Sequence, residues 1–131
     1  MSKEAAPLQA LIVENDATGR ELLARVLRLH GFDADTVIGG RAALSLLGSA
    51  QKRYDLMVTD LKMEPMNGYE LLREVAAIES ARRPRQIVVL SGYLDDYAAQ
   101  LAALDLPLEM FQKPIHLPSL VKVFEKLRAV P

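Results

Sequence analysis

Five short apolar runs alternate along the chain with five stretches of helical period, and few folds accommodate that pattern. The runs are LQALIV (8–13), DLMVT (55–59), QIVVL (86–90) and LEMF (108–111), with a weaker alternating run, FDADTV, at 32–37. Uninterrupted apolar stretches of this length suit strands covered on both faces, as in a parallel sheet. Between them, residues 17–30 set Leu22, Leu23, Val26, Leu27 and His30 on one helical face and Arg20, Glu21, Arg25 and Arg28 on the other. GRAALSLLGSA (40–50), GYELLREVAAIES (68–80) and YLDDYAAQLAAL (93–104) follow the same rule. In the last stretch, 117–129, Leu117, Leu120, Val121, Phe124 and Leu127 face inward, opposite Lys122, Glu125 and Lys126. Gly31 suits a helix C-cap, and Pro118 the first turn of the last helix. Strict alternation predicts an α/β domain with a doubly wound, five-stranded parallel sheet and helices on both faces, because right-handed crossovers alternate sides. Residues 8–129 form this single domain, and MSKEAAP (1–7) reads as a mobile tail.

Composition removes several chemistries. The absence of cysteine excludes disulfides, thiol catalysis and cysteine-ligated zinc, and His30 and His116 are too far apart in sequence to suggest a histidine-rich metal site. A net charge of −1 makes no case for nucleic acid, and the Arg82, Arg83 and Arg85 cluster reads as a solvated loop. No apolar run spans a bilayer and no signal peptide opens the chain, so a cytoplasmic protein without membrane attachment is expected.

A parallel sheet brings the C-terminal ends of all its strands to one edge, where ligands bind in this architecture. The first strand is followed by Glu14, Asn15 and Asp16, the third by Asp60, the fourth by Ser91, and the fifth by Gln112 and Lys113. Side-chain oxygens gathered there suit Mg²⁺, a hard cation that takes few protein ligands and keeps several waters. Asp60 is then a candidate nucleophile for a phosphoryl group, with Lys113, the Ser91 hydroxyl and Mg²⁺ each holding one phosphoryl oxygen. Gly92 leaves room for a donor. Asp16 reads as the cap of the first helix, His30 as a satisfied helix-terminal histidine, His116 as a polar group opening the last helix, and Met63 and Met66 as loop packing.

From Leu8 to Leu127 the chain resembles a response-regulator receiver domain of two-component signalling. The resemblance rests on EN after the first strand, DLKMEPMNG after the third, SG after the fourth and KP after the fifth, each weak alone and strong in this order. It implies a flavodoxin-like sheet of order 2-1-3-4-5. It also implies Asp60 as phosphoacceptor, Glu14, Asn15, Asp60 and the Lys62 backbone carbonyl around Mg²⁺, Ser91 as switch hydroxyl, Lys113 as the site lysine, and a cis Lys113–Pro114 bond. The implied partner is a sensor histidine kinase or histidine phosphotransfer protein, and the chain is a phosphoacceptor assisting its own phosphorylation and dephosphorylation, not an enzyme. Output would be a downstream protein bound on the face of the fourth helix, fifth strand and fifth helix, including Tyr97, Met110, Ile115 and His116. Two copies pairing through the fourth and fifth helices is a further implication.

Departures from the family pattern shape the expectations. Asn15 stands where an aspartate is usual, which removes one formal charge and weakens Mg²⁺ binding. Glu64 occupies the usual proline position, with Pro65 one place later, and is expected to face solvent. Met110 replaces the usual switch aromatic, and strand alternation puts Phe111 on the opposite face. Tyr93 and Lys62 sit where family members tune water access to the acyl phosphate. The chain ends soon after the last helix, so a stand-alone receiver is expected; a pseudo-receiver adaptor that works without phosphorylation and a receiver segment of a hybrid kinase are the alternatives. A flavodoxin-type cofactor carrier is disfavoured, because acids after the first strand would repel a flavin phosphate.

Overall fold

The computed structural model describes residues 6–49, 52–92 and 94–129. Most of the expected tail, and Tyr93, lie outside the described residues. Strands β1 (Leu8–Val13), β2 (Phe32–Val37), β3 (Leu56–Thr59), β4 (Gln86–Ser91) and β5 (Leu108–Gln112) alternate with helices α1 (Ala17–Leu29), α2 (Gly40–Ser49), α3 (Gly68–Ala77), α4 (Leu94–Ala102) and α5 (Leu117–Ala129). The sheet order is β2-β1-β3-β4-β5 with every pair parallel, as expected.

The three central strands are largely apolar because each face of the sheet has its own helical cover. Leu11, Val13, Met57, Ile87 and Val89 pack toward Ala43 and Leu47 of α2, Leu71, Leu72 and Val75 of α3 and Leu101 of α4. Ala10, Ile12, Leu56, Val58, Val88 and Leu90 pack toward Leu23, Ala24 and Leu27 of α1 and Leu120, Val123, Phe124 and Leu127 of α5. The FDADTV run reads weakly because β2 is an edge strand, and only Phe32 of its residues is fully buried.

Three expectations need correction. Leu22 and Leu117 are 56% and 42% exposed, not inward. Each lies just outside the i, i+3, i+4 stripe that touches the sheet, which in α1 is Leu23, Ala24 and Leu27. Helix α3 stops at Ala77, where Ile78 turns extended, and Ser80–Arg82 form a separate 3₁₀ turn. The arginine cluster is not a solvated loop. Arg83 donates to the carbonyls of Ile78 (3.0 Å) and Ala76 (2.9 Å) at the end of α3, Arg82 to Gly48 O of α2 (2.6 Å), and Arg85 pairs with Asp55 at 2.7 Å. Helix ends expose carbonyls without intrahelical donors, and these guanidinium groups supply them.

Other local expectations hold. Asp16 Oδ2 accepts from Gly19 N at 2.7 Å and caps α1, while Gly31, at φ 89°, takes the left-handed residue that ends it. The His30 ring bonds the Val26 carbonyl at 2.9 Å and packs on Phe124.

On the α2 side of β2, Tyr54 Oη donates to Asp35 Oδ2 at 2.6 Å and Lys52 pairs with the same oxygen at 3.0 Å. Partial burial pushes the Asp35 carboxyl up, but the Tyr54 and Lys52 contacts outweigh it and hold the group below the ordinary carboxylate range. A lowered folded pKa contributes stability above the unfolded value, and that contribution is lost as pH falls through the folded one. Asp35→Asn is therefore expected to lower the urea midpoint at neutral pH and to flatten its decline below about pH 4. A variant whose acid limb matches the wild type would remove Asp35 from this role.

Candidate phosphoacceptor site

The sheet's hydrogen bonding continues one residue past the strands, and this places the site. Glu14 N donates to Val37 O (3.2 Å), Asp60 N to Val13 O (3.3 Å) and Lys113 N to Ser91 O (3.1 Å). Glu14, Asp60 and Lys113, which follow β1, β3 and β5, are thereby held at one C-terminal edge. Lys113 Nζ lies 3.0 Å from Asp60 Oδ2 and 3.2 Å from Glu14 Oε1. Glu14 is 3% exposed, the Asp60 side chain 11% and that of Lys113 37%.

Each carboxylate is also held from its other side. Asp60 Oδ1 accepts from Leu61 N at 2.7 Å and from Lys62 N at 3.3 Å, leaving Oδ2 to face the lysine. Glu14 Oε2 accepts from Asp16 N at 3.2 Å. Burial opposes charge on Lys113, but the hydrogen bonds and charges of Asp60 and Glu14 prevail and raise its pKa. A raised lysine pKa keeps the ammonium charged through neutral pH, and its contribution to stability is lost only in strong alkali.

The other predicted site residues occupy less convergent positions. Asn15 is exposed on the loop beside Glu14, and Ser91 is fully buried at the end of β4. Lys62 is exposed and contributes its amide to Asp60. Apart from its chain neighbours, no described atom lies within 4 Å of a Cβ built on Gly92. The Lys113–Pro114 bond is cis as expected; Glu64–Pro65 is cis as well, which was not. Glu64 is exposed, and Met63 is buried against the α2–α3 layer. On β5, Met110 is exposed on the face that Leu108 shares, while Phe111 packs into the α1–α5 layer.

One site feature escaped the sequence reading. A Cβ on Gly68 would sit 2.3 Å from the Asp60 carbonyl oxygen and 2.8 Å from Leu61 Cα, and Gly68 N donates to Leu61 O at 2.8 Å. The loop after Asp60 thus closes back on its own start. The NG pair signalled a turn, but nothing local says which backbone that turn touches.

Among the described residues no group of three His, Cys, Asp or Glu is arranged to hold a metal. Glu14 and Asp60 are two acids, so a cation here would draw on neutral oxygens, the Asn15 amide and the Lys62 carbonyl, and on water. That all-oxygen, low-charge set fits Mg²⁺, which needs few protein ligands. No described helix is long and apolar enough to cross a membrane.

The family model of the response regulator receiver domain matches residues 10–125. A response regulator receiver protein from Pseudomonas putida is 34% identical, with a TM-score of 0.81 over 94% of this chain and 99% of that one. The sensor protein EvgS of Escherichia coli K12 is 40% identical over 68 residues, which are 52% of this chain and 6% of that protein. The receiver domain of the sensor histidine kinase PA1611 from Pseudomonas aeruginosa, solved with magnesium in its active-site cleft, shares the fold at a TM-score of 0.78 and 21% identity, over 93% of this chain and 98% of that one. With the family match running from within β1 to within α5 and including every strand end that carries a site residue, the chain belongs to the response regulator receiver domain family.

Proposed function

We propose that this receiver accepts a phosphoryl group on Asp60 from a histidine kinase or phosphotransfer protein, with Mg²⁺ bound, and thereby switches its protein contacts. The observation that carries the reading is the single ammonium of Lys113 set between the carboxylates of Asp60 and Glu14. In the transfer, phosphorus leaves an imidazole nitrogen of the donor and bonds a carboxylate oxygen of Asp60. Backbone amides of Leu61 and Lys62 orient that carboxylate through Oδ1, and Lys113 is placed to stabilise charge on the incoming group. Mg²⁺ held by Glu14, Asp60, the Asn15 amide and the Lys62 carbonyl would supply positive charge for the incoming phosphoryl group, and the PA1611 receiver was solved with magnesium in its active-site cleft. The Ser91 hydroxyl is the switch group, and Tyr97, Met110, Ile115 and His116 mark the responding surface. The likeness to a small part of the sensor protein EvgS favours a second setting for the same chemistry, as a receiver segment of a larger sensor protein.

Incubation with a small-molecule phosphodonor, followed by intact mass, tests the reading. A Mg²⁺-dependent phosphoryl adduct, absent in Asp60→Asn, is expected; none in well-folded protein, even with a cognate kinase, would leave a phosphorylation-independent adaptor. Asn15→Asp restores a formal charge to the ligand set and is expected to tighten Mg²⁺ binding about tenfold. Equal affinity by calorimetry would place residue 15 outside the metal's coordination.

A further inference from the structure

Helix α3 begins with a cap whose two polar arms point to different elements. Asn67 Oδ1 accepts from Glu70 N at 2.8 Å and the Glu70 carboxylate accepts from Asn67 N at 2.9 Å, a reciprocal capping box that fixes the side chain. The remaining arm, Nδ2, donates to Tyr97 Oη on α4 at 3.3 Å. The Tyr97 ring stacks on Tyr69, centroids 5.8 Å apart and planes 26° apart, with the Arg73 guanidinium over the Tyr69 ring. Both tyrosines pack on the α2–α3–α4 apolar layer, where a phenol oxygen needs a polar partner.

Asn67 is also fastened to the phosphoacceptor's backbone. The next residue, Gly68, bonds Leu61 O and has no free space toward Asp60 O. The amides that hold Asp60 Oδ1 belong to Leu61 and Lys62, at the other end of the same closed loop. A shift of the Asp60–Lys62 backbone that orients the carboxylate therefore bears directly on Gly68 and, through it, on Asn67. We infer that Tyr97 is a positioning residue: through Asn67 it couples the Asp60 loop to α4, so that each sets the other's mobility. The coupling deepens the receiver reading, on which its signalling use rests, but it exists in the resting protein and can be measured there.

Amide hydrogen exchange of the full chain provides the test. Tyr97→Phe keeps the stacked ring and removes only the hydroxyl. Asn67→Ser keeps an N-cap oxygen and removes the donor arm. Loss of one part-buried hydrogen bond is expected to raise exchange in residues 61–68 about fivefold in Tyr97→Phe, and in 97–102 about fivefold in Asn67→Ser, with central-strand amides unchanged. Asn67→Asp, which keeps the cap and accepts from the Tyr97 hydroxyl, is expected to preserve both. Exchange in 61–68 that stays at the wild-type level in Tyr97→Phe overturns the coupling, and so does a uniform rise across the sheet, which marks only global destabilisation. Intact mass after treatment with phosphodonor and with cognate kinase is read on the same samples: a wild type without adduct under either refutes phosphorylation at Asp60 while the exchange data still decide the coupling.

Discussion

Gly68→Ala is expected to cost about 3 kcal/mol in urea unfolding and to slow phosphoryl transfer to Asp60 by about a hundredfold. The three nearest atoms that the new methyl meets, the Asp60 carbonyl oxygen at 2.3 Å, Leu61 Cα at 2.8 Å and the Asp60 carbonyl carbon at 3.1 Å, all belong to backbone, so no rotamer change relieves the overlap. Either α3 retreats and gives up the Gly68–Leu61 hydrogen bond, or the Asp60 peptide turns and misaims the carboxylate. The two responses differ in what they spare, and measuring stability together with transfer rate separates them. Gly48→Ala supplies the contrast. That residue lies in α2 with no neighbour within 4 Å of its built Cβ, and the substitution is expected to be neutral or to stabilise by ~0.5 kcal/mol. A Gly68→Ala protein with the wild-type urea midpoint and rate would show that the loop yields freely and does not position Asp60.

That pair of glycines also marks the boundary of what is legible in one dimension. The limits of β1 and β2 can be read directly, because a strand's extent follows from its own apolar period and the turn residues that flank it. The charged cluster follows from the same reading: in a parallel sheet a residue just past a strand has only one edge to occupy, so Glu14, Asp60 and Lys113 meet there, and Ser91 ends β4 at the same edge, without any knowledge of loops. Position along a helix is less well determined. Leu22 and Leu117 carry the right chemistry for a core but sit about one residue's rotation outside the stripe that meets the sheet. Contacts between loops are not encoded locally at all. Arg83 returning to the end of α3, the Gly68 approach to Asp60 and the reach of Asn67 to Tyr97 depend on elements that meet only after the sheet has assembled. The weak pattern of β2 is a related case, since an edge strand has fewer neighbours to demand apolar residues of it.

Lys113→Ala is expected to lower stability by about 2 kcal/mol at neutral pH and low magnesium. The cation it removes is shared: Asp60 Oδ2 at 3.0 Å and Glu14 Oε1 at 3.2 Å would face one another without the ammonium between them. Breaking a fully buried ion pair costs about 3–5 kcal/mol, and the solvent that reaches Lys113, 37% exposed against 3% for Glu14, reduces that figure. The sign of the magnesium response follows from the same charges. In the wild type an entering divalent cation meets acids that an ammonium already compensates; in the variant it meets them uncompensated. Since a ligand that binds only the folded state raises the unfolding midpoint by mass action, added Mg²⁺ is expected to stabilise Lys113→Ala more than the wild type and to recover much of the deficit. Phosphoryl transfer should not recover with it, because the fold needs only positive charge near the two acids, whereas transfer needs a donor placed on the incoming oxygen. Recovery of stability without recovery of rate would assign Lys113 both roles. Equal magnesium responses in the two proteins would mean that the lysine and the metal do not share these carboxylates, and the electrostatic account of the site would fail at its centre.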